Sequence, residues 1–215
     1  MAMERRCFPE CDQFNGIHEG LVQSWKDIFP KKGEIYFAGA LENNEDTGTL
    51  QYLASTAMEA GFSTRVLDMQ ALDLQNGRFF DPAGELVNRC FKLYPWEWMV
   101  DESPDGCLAE MEWLEPIWKL VMSNKAILAT LYELFPDSPY VLPCYLSRPR
   151  SGLFCKKPVF SREGHNVSVV DIRNWEEHVR IAETEGDYNT GAYVYQEYVE
   201  PTVYSGRYPV MALGL

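Results

Sequence analysis

Charge and backbone freedom gather between Cys155 and Val170, where Lys156, Lys157 and Arg162 surround a tip whose only glycine is Gly164. Ammonium and guanidinium groups beside backbone N–H groups that a glycine lets approach closely can receive a phosphate. The same composition also makes an ordinary exposed hairpin with solvated charges, so both readings stand on spacing alone. Lys125 falls in the first turn of a predicted helix, where a cation opposes the helix dipole unless an anion is near. A solvated lysine at a mobile junction is the other reading. Glu97 lies between Trp96 and Trp98, as a substrate-facing carboxylate or as an exposed strand acid with both indoles packed inward. Cys7, Cys11 and His18 could be drawn together around zinc, but no second pair follows at finger spacing, and no metal ligand is assigned. His165, alone in the tip, suits a side chain in water.

Several elements must hold these groups. Runs 154–160 and 166–172 are β-rich and predict a hairpin with a five-residue loop. Phe14, Ile17, Leu21, Trp25 and Ile28 recur at helical spacing after Asp12, a candidate cap, and the helix must end before Pro30. A buried strand over 34–40, an acidic loop over 42–46, a helix over 49–60 closed by Gly61 and a strand over 63–68 make a βαβ unit. That unit lacks a G-x-G-x-x-G turn and is not read as a dinucleotide site. Asn76-Gly77 and Asp81-Pro82 mark turns, and the polar stretch 101–106 with Pro104 is read as a loop at a hinge or lobe boundary. Pro116 suits a helix start. Ser123 is a candidate cap for a helix over 124–135 that stops before Pro136. A short helix over 175–183, a strand over 193–199 and the start of another over 208–213 complete the pattern.

The 215 residues are 46% hydrophobic and 13% aromatic, enough to bury a core in one domain or two small lobes. A formal charge of −13 argues against general binding to nucleic acid or anionic membranes, although a nucleotide needs only a few local cations. No apolar run approaches the roughly 20 residues of a membrane helix. The first six residues lack the apolar core of a signal peptide. Six cysteines without a C-x-x-C pair suit reduced thiols and a cytoplasmic location, so the Asn166-Val167-Ser168 glycosylation triplet has no consequence.

Separate stretches then agree with one family. Asp12-Gln13-Phe14-Asn15 with Ile17-His18-Glu19, Phe91 to Glu97, Leu114 to Lys119, Ser123 to Ala126, Leu131 to Pro136, Lys157-Pro158, Arg162-Glu163-Gly164 and Tyr195-Gln196 come in family order over nearly the whole chain. Together they resemble the ligase domain of glutathionylspermidine synthase, with the closer likeness to its stand-alone bacterial homologues. The resemblance implies an α/β chain of α+β lobes with an ATP-grasp-like fold. A Rossmann-like segment with the N-terminal helix would occupy 1–105, and partial nucleotide-binding lobes 106–215. It implies ATP and Mg²⁺ as cofactors, and an acid and an amine as substrates, a glutathione-like peptide and a polyamine being one pair. Lys125 and Lys157 would contact phosphates. Ser161, Arg162, Glu163 and Gly164 would lie in a tip closing over the γ-phosphate, with Arg162 as the catalytic residue. Gln196 and Tyr198 would lie along the adenine, and Glu97 would face the amine.

The chain also departs from that family. An upstream arm with Arg-x-Asp and Glu-x-Asn elements, which hold magnesium and the carboxylate substrate, has no counterpart before Asp12. A downstream Gly-Ile-Arg-Glu-like strand has none either, and His165 replaces a smaller residue. The chain is therefore expected to be the central portion of a carboxylate-amine ligase that acts through an acyl phosphate, with metal ligands outside it. By itself it is expected to bind ATP weakly or not at all and not to turn it over. The competing expectation is an inactive nucleotide-binding or protein-interaction module that lacks the metal site.

Overall fold

A computed structural model describes residues 16–174, 178–188 and 191–208. Two compact units divide between Lys119 and Leu120. The first contains a four-stranded parallel sheet in the order β2-β1-β6-β7, made of β1 (Glu34–Gly39), β2 (Ser63–Asp68), β6 (Arg89–Leu93) and β7 (Glu112–Leu114). Between β1 and β2 runs helix α2 (Asn44–Glu59), so the predicted βαβ unit is present with its strands parallel. The helix starts five residues earlier than its apolar periodicity suggests. Asn43 caps it by accepting the Glu45 N–H at 2.8 Å, and Glu45 and Asp46 favour the positive end of its dipole. Those acidic residues read as a loop because they carry no apolar stripe.

Helix α1 (Ile17–Ile28) ends before Pro30 as expected, and Asp12 lies outside the described residues. Val22, Trp25 and Phe29 pack with Ile35, Phe37, Leu50, Ala54 and Ala57 into the main core. Trp25 stands edge-on to Phe37 at 5.5 Å, and its indole N–H donates to the Thr56 hydroxyl at 2.8 Å. Thr56 in turn donates to the Leu53 carbonyl at 2.7 Å, so the polar end of a buried tryptophan is fully answered inside the core.

A small antiparallel sheet, β3 (Asp73–Gln75), β4 (Arg78–Phe80) and β5 (Leu86–Val87), sits in the same unit. Asn76 and Gly77, at φ 50 and 75, form the two-residue turn that their order predicts. Asp81 organises the next turn: its carboxylate accepts the Ala83 and Glu85 N–H groups, the Tyr36 hydroxyl at 3.2 Å and the Arg65 guanidinium at 2.6 Å. The backbone donors and these partners hold its carboxyl below the usual carboxylate range. Residues 101–106 are largely helical rather than an open loop, in α3 (Trp96–Glu102) and the short α4 (Pro104–Cys107) with Pro104 in its first turn.

In the second unit an antiparallel sheet runs β11-β10-β9-β12-β8. Its strands are β8 (Cys144–Tyr145), β9 (Gly152–Pro158), β10 (Ser168–Ile172), β11 (His178–Glu183) and β12 (Tyr193–Glu197). Helix α6 (Ala126–Leu134), preceded by the single turn α5 (Leu120–Ser123), contributes Ala129 to a cluster with Cys144 and Val194. The expected helix over 175–183 is a correction: His178 to Glu183 pair with β10 as an edge strand, and every one of those side chains is exposed. Without a buried face, an edge strand leaves no alternation for sequence reading to find. Tyr204 and Arg207 bridge across a tight turn at Ser205 and Gly206. Residues 209–213 of the last expected strand lie outside the described residues. Among the described residues no helix is long and apolar enough to cross a membrane.

Candidate functional site

Strand β9 and strand β10 form the expected hairpin, but the connection covers 159–167 rather than five residues. Val159 leaves the ladder because its carbonyl accepts the Lys125 N–H at 2.8 Å while its own N–H donates to the Ala192 carbonyl at 3.1 Å. Alternation along β9 sends Cys155 and Lys157 to one face and Phe154 and Lys156 to the other. Lys156 places its ammonium 3.9 Å from the centre of the Tyr193 ring, so it does not join its neighbour. Lys157 donates to the Gln196 Oε1 at 2.6 Å. Strand β12 fixes that meeting, since Val194 and Gln196 stand opposite Lys157 and Cys155. Among the described residues Lys157 has no carboxylate partner, a notable state for a half-buried cation in a chain with 32 acidic residues. The Tyr198 N–H continues the line beyond β12 by donating to the Leu153 carbonyl at 3.0 Å.

Lys125 stands at the entry to α6. Asn124, not Ser123, provides the cap: its side-chain oxygen accepts the Ala126 N–H at 2.9 Å, whereas Ser123 turns back to the Leu120 carbonyl. The Lys125 ammonium reaches Ser161, bonding its carbonyl and, at 2.9 Å, its hydroxyl. The tip then closes with the His165 N–H donating to the Arg162 carbonyl at 2.9 Å. Glu163, Gly164 and Asn166 all have positive φ, at 54, 71 and 54. The amide N–H groups of Glu163 and Gly164 have no acceptor among the described residues and are exposed. Arg162 is half-buried, with Nη1 shielded from solvent. Lys125, Lys157, Ser161, Arg162, Glu163 and Gly164 therefore lie in one unit toward the tip end of one hairpin, with Gln196 on the strand beside it; Tyr198, level with Leu153, lies toward the opposite end of β9. Two thiols flank Gln196 across the sheet, Cys144 and Cys155; burial pushes both up, so they stay protonated at neutral pH.

Glu97 belongs to the first unit. It occupies the first turn of α3 instead of a strand, with Oε2 shielded from water, Trp96 buried and Trp98 exposed. Close to it in the electrostatic sense is Lys92, at the carboxyl end of β6. Lys92 is 5% exposed, donates to the Tyr94 carbonyl at 2.8 Å and lies 3.8 Å from the centre of the Trp96 ring. Burial pulls its pKa from 10.5 down to about 8, against the opposing pull of Glu115, Cys90 and Glu97. Sequence reading passed over Lys92; the available signal was one lysine inside the apolar run Cys90 to Leu93. Among the described residues no group of three His, Cys, Asp or Glu side chains could hold a metal ion. His18 instead meets Glu59 at 3.0 Å and Tyr52 at 3.2 Å, while Cys7 and Cys11 lie outside the described residues.

The family model for the glutathionylspermidine synthase preATP-grasp region matches residues 1–214. A Haemophilus influenzae protein that carries the provisional name acid-amine ligase is 32% identical over 212 residues, covering 93% of this chain and 54% of that protein. The Escherichia coli bifunctional glutathionylspermidine synthetase/amidase is 28% identical over 192 residues, 73% of this chain and 31% of its own length. Trypanothione synthetase of Crithidia fasciculata is 34% identical over 102 residues, 46% of this chain and 15% of its own. The chain thus spans about half the length, or less, of the curated relatives it matches. By the near-complete family match and the likeness to the Haemophilus protein, the chain belongs to the glutathionylspermidine synthase preATP-grasp family.

Proposed function

We propose that this chain is part of an ATP-dependent carboxylate-amine ligase, and that the second unit is the beginning of an ATP-grasp nucleotide site. The observation that carries the reading is the gathering of Lys125, Lys157 and Arg162 toward the tip end of the 152–172 hairpin, where Lys125 reaches the tip through Ser161 and Lys157 meets Gln196. Lys157 donates to a neutral amide and the Lys125 ammonium to Ser161, beside two amide N–H groups that have no acceptor among the described residues. Such a cradle is complementary to a triphosphate and costs little reorganisation when charge develops on it.

In this reading ATP supplies the phosphoryl group that converts a carboxylate into an acyl phosphate, from which an amine displaces phosphate to leave an amide. Lys157 and Lys125 bind and orient the phosphate chain. Arg162 and the 163–164 amides meet the charge of the terminal phosphate, and Gln196, by holding Lys157, sets the direction of its ammonium. Tyr198, just beyond the strand that carries Gln196, borders the adenine. Glu97 offers a carboxylate to the ammonium of the amine before reaction, in keeping with the acid-amine and glutathionylspermidine names of the relatives. A glutathione-like peptide and a polyamine are the first pair to try. No step is assigned to magnesium, because the described residues do not offer it a set of ligands.

The test is ADP release by the full-length protein across acid and amine pairs, together with direct titration of ATP. Release that needs both partners supports the ligase. ATP binding without release in any pair supports an inactive nucleotide-binding module instead. Lys157→Ala should weaken ATP binding at least about tenfold, the size expected for losing a charge-assisted bond. An unchanged titration removes Lys157 from the site and the cradle with it.

A further inference from the structure

The tip between Ser161 and Val167 is gripped by a second segment, 184–188, more than fifteen residues away in sequence. One side chain forms the centre of this grip. The Asn166 side-chain oxygen accepts the Tyr188 N–H at 2.8 Å while its Nδ2 donates to the Gly186 carbonyl at 2.9 Å. Thr184 supports it from one side: its hydroxyl bonds the Gly164 carbonyl and accepts the Val167 N–H at 2.9 Å, and its own N–H donates to the Val167 carbonyl at 2.9 Å. On the other side the backbone of Gly186 presses against His165, where an added Cβ would stand only 2.4 Å from the His165 Cβ. The His165 ring also meets Tyr188 at 5.9 Å.

Few residue types can do what Asn166 does. The position has φ 54, which asparagine tolerates better than most side chains. It must also donate and accept at once, over a short reach. Aspartate has the shape but cannot donate; glutamine has the groups but one methylene too many. The grip covers Gly164 to Val167 and leaves the Glu163 and Gly164 N–H groups pointing to no partner among the described residues. A loop held from behind, with its donors unused in front, is organised before any ligand arrives.

We propose that Asn166 is a positioning residue for nucleotide use: by clamping the tip to 184–188 it holds the 163–164 amides ready for the terminal phosphate of a nucleoside triphosphate. The inference rests on the ligase reading above and adds to it the element that orders the tip. Because Asn166 touches only protein, it acts through those amides.

The full-length protein carrying Asn166→Asp, and separately Asn166→Ala, tests this by two readouts. Amide hydrogen exchange of 162–167 without nucleotide reports the clamp, and steady-state ADP release reports its use. The expected result is exchange faster by about tenfold or more in both variants, from the loss of one or two part-buried hydrogen bonds. The apparent KM for ATP should rise by about tenfold, with the KM values for acid and amine unchanged. Unchanged exchange overturns the clamp, and faster exchange with unchanged ATP kinetics overturns its link to nucleotide. If the unmodified protein neither binds nor uses ATP while exchange still rises in the variants, the ligase reading has failed and the positioning role with it. Should either variant aggregate, Gly186→Ala disturbs the same grip from the opposite strand connection and must reproduce both shifts for the proposal to survive.

Discussion

Replacing Lys92 by methionine tests the energetics of the first unit. The ammonium is almost wholly buried, against the Tyr94 carbonyl and the Trp96 indole face, and burial pulls its pKa from 10.5 down to about 8 despite the opposing pull of Glu115, Cys90 and Glu97. At about 1.4 kcal/mol per tenfold change in proton affinity, that difference is about 3 kcal/mol, reduced to about 2 kcal/mol for residual solvent contact. The sign follows from proton counting. Between about pH 8 and pH 10.5 the unfolded chain carries the lysine proton and the folded chain has lost it, so this group makes folding more favourable as pH rises through that window. Below it the buried charge is a constant cost. Lys92→Met removes the cost and leaves the Tyr94 carbonyl without its donor, worth about 1 kcal/mol. The variant should therefore be more stable than the parent by about 1 kcal/mol at pH 7, and the advantage should vanish or reverse by pH 10. Urea unfolding of both proteins across that range isolates the effect, because the other titrating groups cancel in the difference. A difference that does not change with pH would refute the placement of Lys92 as a buried cation. So would a variant that is less stable than the parent at pH 7.

Other outcomes follow from single contacts. Thr56→Val should lower stability by about 1–2 kcal/mol in chemical denaturation, since it leaves the Trp25 indole N–H without an acceptor in the core. Asp81→Asn should weaken the first unit and blunt its acid sensitivity: the carboxyl sits below its ordinary range when folded, so the stability it lends is present at neutral pH and lost as pH falls through the depressed value. Circular dichroism against pH for parent and variant reads both effects. Lys156→Ala should leave ATP titration within about twofold of the parent, because its ammonium turns to Tyr193 on the far face, in contrast to the loss expected for Lys157→Ala.

What could be read from the sequence depended on where the deciding partner lay. The βαβ unit, the Asn76-Gly77 turn and the two hairpin strands carry their causes locally, in alternation, caps and turn residues. Strand β11 does not, because its partner is β10 and all its side chains face water. Likewise, Asn166 looked like part of a glycosylation triplet, and nothing nearby reveals that its amide is engaged at both ends by residues some twenty positions later. Lys92 hid inside an apolar strand because burial of a cation against an indole is a property of packing. The phosphate candidates were nominated by family resemblance more than by spacing. What geometry adds is the separation of Lys156 from Lys157, and the Lys125 bond to Ser161 across 36 positions.

Lys125 is sewn to the hairpin twice, by its backbone N–H to Val159 and by its side chain to Ser161. A helix start and a strand exit joined at two points behave like two rails bolted to one sleeper. Any displacement of the tip must carry the first turn of α6 along, or break one bolt. Lengthening the chain by a single residue between Val159 and Ser161 would put the two fastenings out of step, while the same insertion at Tyr140, which is 94% exposed, would be absorbed without strain.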